Sequence, residues 1–313
     1  MILHRAFGAL IESSIPLFDP VVSEGAEPNY LFHLFPPADP GSQGVEWVYQ
    51  TALPDGSEWL SLAKRDSEFV LRFAEMADFV ISSDRRRIKC YPHFDTPLET
   101  IRHLFLDQVF PYLLLSRDQL ALHASAVVID SEAIAFLGES GQGKSTLCAS
   151  FGRRGSRLIG DDCLLLKKEN EKIFCIPSYP GVRLWDQSVS AIFSEPIISP
   201  VAHYSRKHRL NVCDNNIPFA TDPVPLKKIY LLAPLDPPAD KDQIVVTPVA
   251  TNEAFKYLLN GSFRLDVCDH DGMRDEFNLI SQVLSNAQVS RLSFPHEFDA
   301  LPNVHQAIYA DLD

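Results

Sequence analysis

The stretch AIAFLGESGQGKS, residues 133–145, decides how the chain is read. Ala133 to Leu137 is an apolar run of strand length. Gly138-Glu139-Ser140-Gly141-Gln142-Gly143-Lys144-Ser145 then fits G-x-x-x-x-G-K-[ST] at every position. Glycines let such a loop curl so that successive backbone N–H groups point inward, and a helix that follows adds its positive end. That arrangement cradles the phosphates of a nucleoside triphosphate. Lys144 is expected to neutralise the β and γ phosphates and Ser145 to hold Mg²⁺, with Thr146 opening the helix behind them. The plain alternative is an accidental glycine-rich turn. The apolar run before the loop and the helix-competent Thr146 to Phe151 after it favour the phosphate loop. Arg154 and Gly155 mark the helix end, glycine being suited to the position just past it.

Immediately upstream lies a second apolar run, Leu122 to Ile129, separated from the first only by Asp130-Ser131-Glu132. That gap is too short for a crossover helix, so the two strands should pair antiparallel as a hairpin. An α/β domain with a mixed sheet is therefore expected, rather than a purely parallel one.

Downstream, Arg157 to Gly160 and Cys163 to Lys167 frame Asp161-Asp162, 17 and 18 positions after Lys144. Adjacent carboxylates can divide two tasks, one on Mg²⁺ and one as base toward an attacking hydroxyl; the plain alternative is a solvated turn. His123 opens the hairpin strand, where a lone histidine is either structural or a neighbour of the chemistry. Tyr204-Ser205-Arg206-Lys207-His208-Arg209 is dense in cations. It suits a lid in which Arg206 and Arg209 close on phosphate or on an acidic substrate, or else a solvated loop.

Working outward, residues 1–95 read as a smaller β-rich module: apolar runs at 30–35, 45–50, 58–63, 69–73, 79–82 and 87–91 alternate with turn signals. Thr96-Pro97-Leu98-Glu99 has the look of a capping box opening a helix of about four to five turns, ending near 116–118 and starting a second domain over 96–313. Beyond the acidic pair, strands are expected at 227–232, 243–248 and 289–294 and helices at 252–259 and 273–287. The Pro-rich segments 196–200, 218–225 and 234–238 read as loops.

Composition narrows the function classes. Lys plus Arg number 28 against 41 Asp plus Glu, a net charge of −13, which argues against nucleic acid as the principal partner. The basic run Arg85, Arg86, Arg87 and Lys89 reads as a solvated hairpin end. Cysteines at 90, 148, 163, 175, 213 and 268 form no CxxC pair and no zinc spacing, which reads as reduced, buried thiols. An acidic residue and a proline come too early for a secretory leader, and no run reaches the ~18 apolar residues of a membrane span. A cytoplasmic protein that does not engage membranes is expected.

The strings LHASAVVID (122–130) and AFLGESGQGKSTLCASFGRRGSRLIGDDCLLL (135–166) together resemble the nucleotide-binding domain of the HPr kinase/phosphorylase family over about residues 120–168. The shared set is a histidine opening a hairpin, the phosphate loop, and an Asp-Asp pair one helix later. The resemblance implies a mixed-sheet fold like that of phosphoenolpyruvate carboxykinase and the use of ATP with Mg²⁺. It makes Asp161 the general base, His123 its electrostatic neighbour and Asp162 part of the metal site. It also allows homo-oligomers, since relatives assemble through this domain. Ala124 stands where the family usually has glycine and Thr146 where it has an acidic residue. The later Glu/Arg-Gly-rich signature for the carrier protein is missing, which points away from HPr as acceptor. Tyr179 to Trp185 (YPGVRLW), with Lys207 and Arg209 as a K-x-R loop, is more similar to the HPr-kinase-related proteins. These include those encoded beside lasso-peptide biosynthesis genes, which phosphorylate a peptide serine. The expected activity is phosphoryl transfer to a serine of a peptide or small protein. A small-molecule hydroxyl kinase of the same fold and a nucleotide-dependent switch or ATPase are the competing readings.

Overall fold

Two hairpin-forming residues with left-handed backbone, Phe7 and Gly8 at φ 53° and 71°, join β1 (Ile2–Ala6) to β2 (Ala9–Ser13) at the start of the chain. The computed structural model describes residues 1–21, 27–40, 45–53, 55–65, 68–115, 118–235, 243–263 and 270–313. They fall into one unit of Met1–Leu113 with Pro200–Ser205 and another of Leu114–Ser199 with Arg206–Asp313.

In the first unit β3 (Tyr30–Leu34), β4 (Trp47–Ala52), β5 (Glu58–Arg65), β6 (Glu68–Phe73), β7 (Ala77–Ser82) and β8 (Arg87–Pro92) complete one sheet, ordered β1-β2-β3-β8-β7-β6-β5-β4. It is mixed, because β3 runs parallel to both β2 and β8 while the remaining pairs are antiparallel. A helical segment follows: α1 (Leu98–His103), a π-helical turn (Leu104–Val109) and α2 (Phe110–Leu113). Its Phe105 stacks on Phe32 at 4.0 Å. The expected capping box does not form. Pro97 is the N-cap, and the Thr96 hydroxyl donates instead to the Met76 carbonyl at 2.8 Å. The expected helix end at 116–118 falls partly outside the described residues.

The second unit is α/β with a mixed sheet. β10 (Ala124–Ile129) and β11 (Glu132–Leu137) form the antiparallel hairpin, with Ala126 opposite Ala135. The other elements are β9 (Gln119–Leu122), α3 (Lys144–Arg153), β12 (Leu158–Gly160), β13 (Leu164–Glu169), β14 (Lys172–Ile176), β15 (Gly181–Trp185) and α4 (Asp186–Ile192). They continue with β16 (Ser199–Pro200), β17 (Lys207–Asn211), β18 (Val224–Ala233), β19 (Val245–Pro248), α5 (Thr251–Asn260), α6 (His270–Asn286), β20 (Gln288–Ser293) and α7 (Leu301–Leu312). β18 is long enough to pair with β11 in parallel, with β14 antiparallel at its start, and with β20 in parallel at its end.

Helices cover both faces of this sheet, and the side-chain alternation of β11 shows how. Ile134 and Phe136 pack into a cluster with Leu147 and Phe151 of α3 and Val304 and Ile308 of α7. Ala133, Ala135 and Leu137 face Leu258 of α5 and Leu279, Ile280 and Val283 of α6. A strand buried on both faces reads as a continuous apolar run, which is how residues 133–137 stand out in the sequence. Phe136 lies between Phe151 and Tyr230, ring centroids 6.0 and 6.2 Å away.

Candidate functional site

β11 ends at Leu137 and α3 begins at Lys144, so residues 138–143 turn the chain from strand to helix. Gly143 is the N-cap of α3 at φ 89°, a left-handed conformation that a side chain would strain. Gly138 answers a different demand. A Cβ there would collide with the Gln142 carboxamide oxygen and come within 3.0 Å of the Leu232 carbonyl. That carboxamide oxygen accepts the Glu139 N–H at 2.8 Å and braces the turn from inside. Ser140 and Gly141 are exposed at its tip, Gly141 with φ 88°.

No side chain caps α3. Its first N–H groups, from Lys144 onward, therefore lack intrahelical acceptors and face the turn with the positive end of the helix dipole. Lys144 is buried and folds back over the turn, its ammonium donating to the carbonyls of Gly138 at 2.8 Å and Glu139 at 3.1 Å. Burial holds its pKa down at about 8; Asp161 opposes that fall, and the charges of Lys207 and Arg183 add to it. Ser145 is half-buried, and the Thr146 hydroxyl meets Ser188 of α4 at 2.9 Å.

Asp161 and Asp162 connect β12 to β13 and are both buried. One oxygen of Asp161 accepts the Ser125 hydroxyl at 2.5 Å and the other the Arg183 backbone N–H at 2.9 Å. Asp162 has left-handed backbone, φ 63°, and its carboxylate pairs with the Arg183 guanidinium. The Asp162 carbonyl lies 3.1 Å from His123 Nδ1. A carbonyl can only accept, so that ring nitrogen carries the proton. His123 is neutral at physiological pH: burial first, then Lys144 and Arg183, depress its pKa to about 3.

The structure thus gathers Lys144, Asp161, Asp162, His123 and two cations, Arg183 and Lys207, whose charges reach both Lys144 and His123. Arg206 and Arg209 stand differently from the expected loop. Arg209 lies on β17, paired in register with Arg183 on β15, and its guanidinium sits over the Tyr179 ring at 5.3 Å. Arg206 is exposed just before that strand.

Ser125 carries no motif signal, and Arg183 enters only inside the YPGVRLW resemblance; what marks both is their contact with Asp161. Among the described residues, no group of three or more His, Cys, Asp or Glu side chains is placed to hold a metal ion. The hard oxygen donors here, the Ser145 hydroxyl and the Asp162 carboxylate, are of the kind Mg²⁺ takes alongside substrate phosphates, although Asp162 is shared with Arg183.

Four of the five described cysteines are buried and Cys213 is exposed, a departure from the expected all-buried set; Cys268 lies outside the described residues. Among the described residues no helix is long and apolar enough to cross a membrane.

No protein-family model matches the chain, and no curated protein matches it. Among solved structures it is similar to the Hpr(Ser) kinase/phosphatase from Coxiella burnetii, at 15% identity and a TM-score of 0.34, over 61% of this chain and 96% of that one.

Proposed function

We propose that this chain is an ATP-dependent kinase that transfers the γ-phosphoryl group to a serine hydroxyl of a peptide or small protein. The observation that carries the reading is the joint burial of the Lys144 ammonium and the Asp161 carboxylate, each within reach of the other's charge, beside the uncapped start of α3. A cation and a carboxylate beside a glycine-rich turn and a helix N-terminus are what phosphoryl transfer needs.

Residues 138–146 hold the triphosphate. Lys144 leaves the Gly138 and Glu139 carbonyls for the β and γ phosphates. Asp161 accepts the serine proton. Its two donors, Ser125 and the Arg183 N–H, use one lone pair on each oxygen and leave the others for the incoming hydroxyl. The serine oxygen bonds to the γ phosphorus as the bond from that phosphorus to the bridging oxygen breaks, and ADP departs. Ser145 and Asp162 would hold Mg²⁺, which neutralises phosphate charge when bound. Arg183 and Lys207, rather than Arg206 and Arg209, supply further positive charge; their fields already reach Lys144.

Asp161→Asn tests the assignment. With Mg-ATP and serine-containing peptides, calorimetry should show unaltered nucleotide binding while mass measurement shows no phosphate added to the peptide. Undiminished transfer removes Asp161 from the chemistry. ATP consumption that needs no acceptor would replace the kinase reading with a nucleotide-driven switch.

A further inference from the structure

Strand β15 buries Gly181 to Leu184 and leaves its last residue, Trp185, 48% exposed. Large aromatic side chains held half in water are where binding energy concentrates once a partner covers them. Strand alternation shows what stands beside it. Val182 and Leu184 pack into the core with Leu210 of β17. Arg183 and Trp185 therefore share the opposite face, together with Arg209 and Lys207, their partners across β17. On that face Arg183 pairs with Asp162, and the Lys207 ammonium lies over the Trp185 ring at 5.6 Å.

The backbone supplies a second, independent link between Trp185 and the acidic pair. The Arg183 N–H donates to Asp161 rather than to β17, and the register of β15 with β17 is unbroken. Hydrogen-bonding direction alternates along an antiparallel strand, so the Trp185 N–H also points away from β17. It lies on the same outer edge as the donor to Asp161, about 7 Å further along. A chain extended beside this edge would thus have one residue at Asp161 and the residue two positions away at Trp185.

Charge selects the kind of segment. The chain as a whole carries −13, yet Arg183 and Lys207 depress the pKa values of both Lys144 and His123, so the local field is positive. Asp186, the next residue, pairs with His208, which stands opposite Leu184 and so on the other face. We propose, resting on the kinase reading, that the acceptor is an extended acidic segment running along the outer edge of β15. Its serine meets Asp161, and an acidic residue two positions away is seated against Trp185 and Lys207. The positive face steers such a segment inward, and the indole gives it an apolar anchor.

The experiment titrates the full-length chain, in Mg-ADP, with short alanine peptides that carry one central serine and Glu, Ala or Lys two positions to either side. Calorimetry should show the Glu peptide binding about tenfold more tightly than the Lys peptide, a comparison that needs no variant. Trp185→Ala should weaken the Glu peptide about tenfold with Mg-ADP affinity kept, and Trp185→Phe should recover most of the loss. With Mg-ATP, Trp185→Ala should raise the peptide KM by a similar factor and leave kcat in place. Equal affinity for the Glu and Lys peptides, or undiminished affinity in Trp185→Ala, overturns the proposal; if wild type still phosphorylates the serine, the kinase reading survives that result. Binding that needs both Glu and Trp185 but leads to no transfer has the opposite meaning: the edge is a binding site and the kinase reading falls.

Discussion

Ser125 donates its hydroxyl to Asp161 at 2.5 Å, and both side chains are buried. The contact joins hairpin strand β10 to the β12–β13 connection, so the carboxylate's position is set by sheet pairing rather than by a free loop. Ser125→Ala would leave a buried carboxylate one donor short. It should lower unfolding free energy by about 1–3 kcal/mol, measured by urea titration, and lower phosphoryl transfer with little change in nucleotide affinity. Ser125→Thr, which keeps the hydroxyl, should recover more transfer than Ala.

Lys144 titrates near 8 because burial works against its charge. A triphosphate beside it favours the charged form and raises that value, so nucleotide binding at pH 8 should take up about half a proton. Calorimetry in buffers of different ionisation heat measures the uptake. It should shrink toward zero at pH 6.5, where Lys144 is already protonated, and vanish in Lys144→Met.

Two histidines with depressed pKa set an acid limb. His123 is depressed to about 3, and His305, buried against Ser150 and Phe151, to about 4. Between those values and the ordinary 6.5 the unfolded chain binds protons that the native chain refuses. Stability is therefore full above pH 6.5 and falls as pH drops, by up to about 1.4 kcal/mol per pH unit for each histidine. His305→Gln should be less stable than wild type at pH 7 yet lose less on going to pH 4.5, as read from urea midpoints. An equal loss would assign the acid limb to other groups.

Phe136 is fully buried between Phe151 and Tyr230. Phe136→Ala should cost about 3–5 kcal/mol in chemical denaturation, by lost burial plus the cavity left behind. Phe136→Leu should cost less.

The hairpin, the loop strand, α3, β18, β19, β20, α5 and α6 stand out in the sequence because their signals are local: a short polar gap between apolar runs, a glycine pattern, a helical period; α4 and α7 do not. The elements that did not stand out have weaker local signals. β1 and β2 are five residues each and carry His4, Arg5 and Glu12. β14 follows a charged turn at Asn170 and Glu171, both with left-handed backbone, and its charges mask the strand. β17 is rich in cations because it pairs with β15, with Lys207 over the Trp185 ring and Arg209 over that of Tyr179, and so reads as a loop. Thr96 matches the capping pattern, yet the Met76 carbonyl takes its hydroxyl. Lys144 sits in the phosphate-loop motif and Asp161 in the acidic pair, whereas Ser125 and Arg183 reach Asp161 through contacts far apart in the chain, which spacing cannot show.

The division of β11 between two helical layers has a consequence for tolerated change. An added residue within 133–137 would swap the small alanines for Ile134 and Phe136 on the α5–α6 side, and it would launch the glycine turn toward the wrong layer. The same addition at Asp130-Ser131, where left-handed backbone already makes the bend, would only lengthen an outlying tip. Length variation in this hairpin should therefore be confined to its polar end.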